Sequence, residues 1–212
     1  MSDDHSIWLR RTSVERYATQ YGLALVMPNA HRSYYTDMVC GLKYWTYISE
    51  ELPKLMHSFF KMSDKREDTF VAGLSMGGFG AFKLAFNCPE KFAAAASLSG
   101  ALAPFHLLSH IPERNAEFQN IFGDLDQIPG SVNDLYTQSE RCAKNGVTLP
   151  KLFMTCGTSD FLYQENLRFK KHLEDLNIDF TYDEGPGSHD WGYWDQKIQQ
   201  IIRWLPIRKG RI

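Results

Sequence analysis

Cysteine is scarce and scattered. The four present, Cys40, Cys88, Cys142 and Cys156, stand far apart and form no CxxC pair, so neither a disulfide framework nor a zinc knuckle is signalled. Charge of one sign is also lacking, with 23 Lys and Arg against 25 Asp and Glu for a net of −2. The basic residues do not cluster among aromatics, which speaks against a nucleic-acid partner. The opening MSDDHSIWLRR carries acid and no apolar core, unlike a secretory signal, so a cytoplasmic address is expected. One stretch, Phe92 to Ile111, is free of Asp, Glu, Lys and Arg over a length near that of a membrane span. It is rich in Ala, Ser and Gly and holds Pro104, His106 and His110, so a buried strand followed by a loop fits better, and no membrane is expected. With no repeat, low-complexity tract or linker dividing the 212 residues, a single domain over 1–212 is expected.

What the chain does have is alternation. Short apolar runs at Leu23 to Met27, Phe70 to Leu74, Ala93 to Leu98 and Leu152 to Cys156 read as strands buried on both faces, as in a parallel sheet. A fifth run, Ile178 to Tyr182, alternates apolar and polar and suits a half-exposed edge strand. Between them, Phe79, Phe82 and Phe86, then Leu162, Phe169, Leu173 and Leu176, then Trp191, Trp194, Ile198, Ile202 and Leu205 are spaced as helix faces. Strands alternating with helices imply crossover connections and an α/β fold, a mostly parallel sheet covered on both sides. Ligands of such sheets sit at the carboxyl ends of the strands.

One strand end carries chemistry. Gly73-Leu74-Ser75-Met76-Gly77 is a GxSxG pattern directly after a buried strand and directly before a helix, the setting in which glycines let a serine occupy a sharp, strained turn. A tight βα turn without chemistry is the bland alternative. A serine hydroxyl is a poor nucleophile at neutral pH and needs a base within hydrogen-bond reach, with a third group fixing the base's tautomer. In this arrangement the chain order is Ser, acid, His. His189, in the loop Gly185-Pro-Gly-Ser-His-Asp-Trp before the last helix, is the candidate base. Asp160, reached from the strand Leu152 to Cys156 through Gly157-Thr-Ser, is the candidate acid, although it and Ser159 could equally cap the following helix. Asp183 and Asp190 remain alternatives. The oxyanion of acyl transfer needs two donors, and the N–H of Met76, next after the serine, is the first.

Other constellations carry less. His106 and His110 are four apart but lack a third ligand, so no metal is expected. Gly77-Gly78-Phe79-Gly80 lacks the lysine of a P-loop and reads as helix packing. Lys65-Arg66-Glu67-Asp68 reads as a solvated turn.

Gly-Leu-Ser75-Met-Gly-Gly-Phe-Gly-Ala, Gly-Thr-Ser-Asp160-Phe-Leu-Tyr and Pro-Gly-Ser-His189-Asp-Trp together resemble the tributyrin esterase family. Met-Pro-Asn-Ala-His31 and Tyr-Ile-Ser-Glu50-Glu51-Leu-Pro53 extend the likeness along the chain. That family is similar to S-formylglutathione hydrolase (esterase D), to acetyl and feruloyl esterases and to mycolyltransferases. The resemblance implies an α/β-hydrolase fold in a three-layer α/β/α sandwich. It also implies a serine carboxylesterase that hydrolyses short acyl esters through an acyl-enzyme, with no cofactor and with a small-molecule ester as its partner. It carries the triad onto Ser75, Asp160 and His189 and the second oxyanion N–H onto Met1. Relatives begin with three further strands, one of which belongs between Leu23 to Met27 and Phe70 to Leu74. The expectation is therefore an incomplete copy, through either a mis-assigned start or a true truncation, whose bare strands would pair with another copy in a homo-oligomer if the chain folds alone. The segment 101–130 is expected to cap the site and Trp191 to line the acyl pocket. Competing readings are an S-formylglutathione thioesterase, an acetyl or feruloyl polysaccharide esterase, and a non-catalytic remnant.

Overall fold

The structure is a computed structural model that describes residues 3–107 and 112–207. Its centre is a four-stranded parallel sheet, β1 (Phe70–Leu74), β2 (Ala94–Leu98), β3 (Lys151–Gly157) and β4 (Thr181–Gly185), with neighbours in chain order. Phe70 pairs Ala94, Ala94 pairs Lys151, and Phe153 pairs Thr181.

The helices follow the chain as α1 (Ile7–Arg11), α2 (Val14–Thr19), α3 (Tyr44–Thr46), a π-helical turn Tyr47–Glu51 and α4 (Leu52–Phe59). After β1 comes α5 (Met76–Asn87), and after β2 come α6 (Pro104–Leu107), α7 (Asn115–Phe122) and α8 (Leu135–Lys144). Helices α9 (Tyr163–Asp175) and α10 (Trp191–Trp204) follow β3 and β4.

Period-two alternation along the strands creates the layers. Ala95, Leu152 and Met154 face a core with Phe79, Phe82, Leu135, Phe169 and Leu173, from α5, α8 and α9. The intervening Ala96, Leu98 and Phe153 face a second core with Val14, Tyr193, Trp194, Ile198 and Ile202, from α2 and α10. The three-layer α/β/α sandwich of an α/β hydrolase follows. β2 is small (AAASL) because α5 lies close on it: a Cβ added at Gly78 would fall 2.5 Å from Ser97 Oγ. Packing thus accounts for Gly78 and for Gly80, whose added Cβ would fall 2.4 Å from the Tyr35 ring, and Arg66–Asp68 forms the expected short turn.

One strand expectation fails. Leu23 to Met27 joins no ladder among the described residues, and Leu25 and Val26 are 38% and 42% exposed. A strand exists through its neighbour's hydrogen bonds, and among the described residues β1 pairs with β2 alone. The edge strand forms at Thr181–Gly185, three residues later than the pattern indicates. Its alternation persists, since Ile178, Phe180 and Tyr182 pack on the core while Asp179 and Thr181 are exposed. Within the uncharged run 92–111, the described residues 92–107 hold β2, the loop after it and α6, and among the described residues no helix is long and apolar enough to cross a membrane.

Candidate active site

Because all four strands are parallel, their carboxyl ends share one edge of the sheet, and the three candidate residues follow β1, β3 and β4 there. Ser75 is the single residue between β1 and α5, at φ 54° and ψ −117°. An L-residue is held in such a region at a cost of order 1–3 kcal/mol, and only by surroundings that leave no alternative. Those surroundings are visible. Ser75 N–H donates to Leu98 O (2.9 Å), while Ser75 O accepts from the N–H groups of Gly78 (3.0 Å), Phe79 (3.2 Å) and Ala101 (3.0 Å). The turn closes so tightly that a Cβ at Gly73 would lie 2.3 Å from the Gly77 carbonyl. Met76 opens α5, so its N–H is among the helix's first donors without an internal acceptor. The positive end of the α5 dipole lies at the same point.

The acid and base loops interlock. Thr158 N–H donates to Gly185 O and Ser159 N–H to Gly187 O, both at 2.9 Å. A Cβ at Gly157 would strike Gly187 O at 2.4 Å, which is why that position has no side chain. This zip brings Asp160 to His189: the ring Nδ1 lies 2.9 Å from Asp160 Oδ2 and 3.1 Å from Oδ1. The Asp160 side chain is fully buried, and His189 retains 20% exposure. With Nδ1–H donating to the carboxylate, Nε2 is the nitrogen left to accept a proton. Asp160 does not cap α9, whose N-cap is Leu162; its Oδ1 instead accepts Leu162 N–H at 2.8 Å in the turn that leads into the helix. The alternative acids are engaged elsewhere. Asp183 pairs with Lys197, and Asp190 caps α10 through Tyr193 N–H. Bonds from Ser188 and Tyr193 hold the Asp190 carboxyl below the usual range.

Two aromatic rings flank the imidazole, Phe161 at 4.6 Å and Trp194 at 4.8 Å between centroids. Trp194 is buried and its Nε1–H donates to Ser99 Oγ at 3.0 Å. Ser99 is itself in left-handed backbone, φ 45°, one residue beyond the Leu98 carbonyl that holds Ser75. A physical path therefore runs from the serine turn through Ser99 and Trp194 to the histidine. Sequence reasoning missed Ser99, Trp194 and Phe161. Trp194 had a signal, its place beside the histidine loop, whereas nothing local distinguishes Ser99. Trp191, expected at the acyl pocket, packs edge-on between Trp8 and Trp194. Met1, expected as the second oxyanion donor, lies outside the described residues.

The loop after β2 is pinned from α9. Buried Glu165 accepts Ala103 N–H at 2.8 Å, and Asn166 Nδ2 donates to Gly100 O at 2.9 Å. Burial pushes the Glu165 carboxyl up and the nearby Cys156 thiol up to about 12, leaving that sulfur protonated and unreactive. A surface cavity of about 890 Å³ lies elsewhere, lined by Asn29, His31, Arg32, Tyr44, Glu117 and their neighbours and by none of Ser75, Asp160 and His189. Among the described residues, no three His, Cys, Asp or Glu side chains converge as a metal site.

A strained serine at a helix N-terminus, with a carboxylate-bound histidine at the same edge, is a geometry suited to acyl transfer. Comparison with known proteins agrees. The family described as "Putative esterase" matches residues 7–205. The chain is 32% identical over 206 residues to an acetyl esterase of Caldicellulosiruptor saccharolyticus, covering 93% of this chain and 77% of that one. Among solved structures it is similar to Staphylococcus aureus FphF, a fluorophosphonate-binding serine hydrolase solved with substrate bound. There the TM-score is 0.91 at 38% identity, over 97% of this chain and 80% of that one. The S-formylglutathione hydrolase FrmB of Staphylococcus aureus gives a TM-score of 0.87, also at 38% identity and with the same coverage.

Proposed function

Since the chain belongs to this esterase family and is a carboxylic ester hydrolase, we propose that it cleaves short-chain acyl esters with Ser75 as nucleophile, His189 as base and Asp160 as its orienting acid. The observation that carries this reading is the His189 Nδ1 to Asp160 Oδ2 bond of 2.9 Å, made at the sheet edge where Ser75 sits in strained backbone.

The steps follow from the atoms. Asp160 keeps the proton on Nδ1, so Nε2 takes the proton from Ser75 Oγ as that oxygen bonds to the acyl carbon. The carbonyl oxygen becomes an oxyanion and receives the Met76 N–H at the positive end of α5. Collapse of the tetrahedral species breaks the bond to the alcohol oxygen, which leaves with the proton from Nε2. Water then repeats the sequence on the acyl-enzyme, releasing the acid and restoring Ser75. No step calls for a metal.

Similarity to an acetyl esterase supports a short acyl group. Similarity to an S-formylglutathione hydrolase supports a second reading, attack on a short acyl thioester by the same three residues. The test is hydrolysis of p-nitrophenyl acetate and of S-formylglutathione by the wild-type chain beside Ser75→Ala. Wild-type turnover of either substrate that falls at least about 10⁴-fold in the variant supports the mechanism, and the preferred substrate separates the two readings. A folded wild-type chain without turnover favours a non-catalytic remnant.

A further inference from the structure

Phe161 has an environment that the triad does not explain. It is 72% exposed, although the residues on either side are 5% (Asp160) and 1% (Leu162) exposed. Those neighbours are fixed, Asp160 through its N–H to Gly157 O at 3.0 Å and Leu162 through its N–H to Asp160 Oδ1 at 2.8 Å. The backbone at Phe161 is therefore held between two anchored residues. The Phe161 ring lies 4.6 Å from the His189 ring, inclined at 48°. Trp194 occupies another side of the same imidazole, but it is buried and hydrogen bonded within the protein. Of the two rings, Phe161 is the one with free surface.

We propose that Phe161 is the specificity residue for the alcohol half of the ester, offering its ring to apolar and aromatic leaving groups. The inference rests on the triad reading above. In that reading His189 Nε2 gives its proton to the departing alcohol oxygen, so at that moment the oxygen lies within hydrogen-bond reach, roughly 3 Å, of the imidazole. Carbon atoms attached to that oxygen lie beside the imidazole, within reach of a Phe161 ring whose centre is 4.6 Å from its own. The acyl carbon, bound to Ser75, is on the opposite side of the oxygen. The free ring therefore meets the leaving group rather than the acyl chain. Ring contact favours aromatic and alkyl groups and offers nothing to a short, well-hydrated alcohol.

Benzyl acetate and methyl acetate test this, because they share an acyl group and hence one acetyl-enzyme. Any effect confined to one of them arises in the acylation half of the cycle. In Phe161→Ala, kcat/KM for benzyl acetate is expected to fall about three- to tenfold, the range of an aromatic contact. Methyl acetate should change less than about twofold, Phe161→Leu should restore part of the benzyl preference, and the pH profile should not move. If the ring instead shields the Asp160–His189 bond from water, both esters lose activity alike and the acid limb of the profile shifts, which overturns the inference. Equal loss without a pH shift overturns it as well. Failure of the wild-type chain to hydrolyse either acetate in a Ser75-dependent manner would indict the triad reading itself.

Discussion

Leu23 to Met27 (LALVM) and Leu152 to Cys156 (LFMTC) are apolar runs of the same length with opposite fates. The second lies in β3 between β2 and β4, and Leu152, Phe153, Met154 and Cys156 are each at most 1% exposed. The first has no ladder partner among the described residues and leaves Leu25 and Val26 substantially exposed. The contrast extends to their surroundings. Helix α4, on the chain before β1, has no buried residue, and Leu55, Phe59 and Phe60 around it are open to solvent. Helices α9 and α10 bury Phe169, Leu173, Ile198 and Ile202 against the sheet. A run of apolar residues states that burial is favourable, but whether a strand results depends on a neighbour far away in sequence. All three candidate catalytic residues belong to the well-paired part.

The largest effect that sharpens this comparison is on stability. Phe153→Ala removes a buried ring that also meets Trp204 edge-on at 5.2 Å and should lower the unfolding free energy by about 3–5 kcal/mol. Leu25→Ala should change it by no more than about 0.5 kcal/mol. Urea denaturation of both variants measures the difference, and comparable losses would erase the distinction between the two regions.

A smaller effect concerns the joint between them. Lys83, on α5, is fully buried, and its Nζ donates to Tyr35 O (2.7 Å), Asn133 Oδ1 (2.6 Å) and Thr36 Oγ1 (3.2 Å). It stands 4.7 Å from the Trp45 ring. Burial draws the ammonium down to about 7, against the pull of the Asp37 charge, from 10.5 in the open chain. The folded pKa is the lower one, so between these values the unfolded chain holds a proton that the folded chain has released. Stability contributed by this group therefore rises with pH across that window and is flat below it. The expected slope is at most about 1.4 kcal/mol per pH unit. The buried Cys156 thiol acts in the opposite direction only above its ordinary value of 9.0, so denaturation at pH 7.5 and 8.5 isolates the lysine. Lys83→Met should lose the slope, and an unchanged slope would assign it to another group.

Much of the site is legible in the sequence because its parts are local. GxSxG fixes a turn from five consecutive residues, and the order of Ser75, Asp160 and His189 follows from successive strand ends. The presence of β1, β2 and β3 is likewise encoded by apolar runs separated by helix-length segments, whereas their order in the sheet is not. What escapes is nonlocal. Ser99 acquires its position from Leu98 bonding to Ser75 and from Trp194 ninety-five residues later. The unpaired state of Leu23 to Met27 depends on what lies beside it, and the start of β4 at Thr181 is set by register against Phe153. The meeting of the Trp191 and Trp8 rings, 183 positions apart, is likewise signalled by no local pattern.

The central claim is that the Asp160 carboxylate fixes His189 for proton transfer, and Asp160→Asn tests it most directly. The amide oxygen can still accept Leu162 N–H, so the loop is retained, while the amide NH₂ offered to Nδ1 selects the wrong imidazole tautomer. The account predicts that kcat for p-nitrophenyl acetate falls by about 10⁴-fold, whereas Asp183→Asn, which breaks a partly exposed ion pair with Lys197, stays within about threefold of wild type. A folded Asp160→Asn protein that keeps turnover within about tenfold of wild type would contradict it.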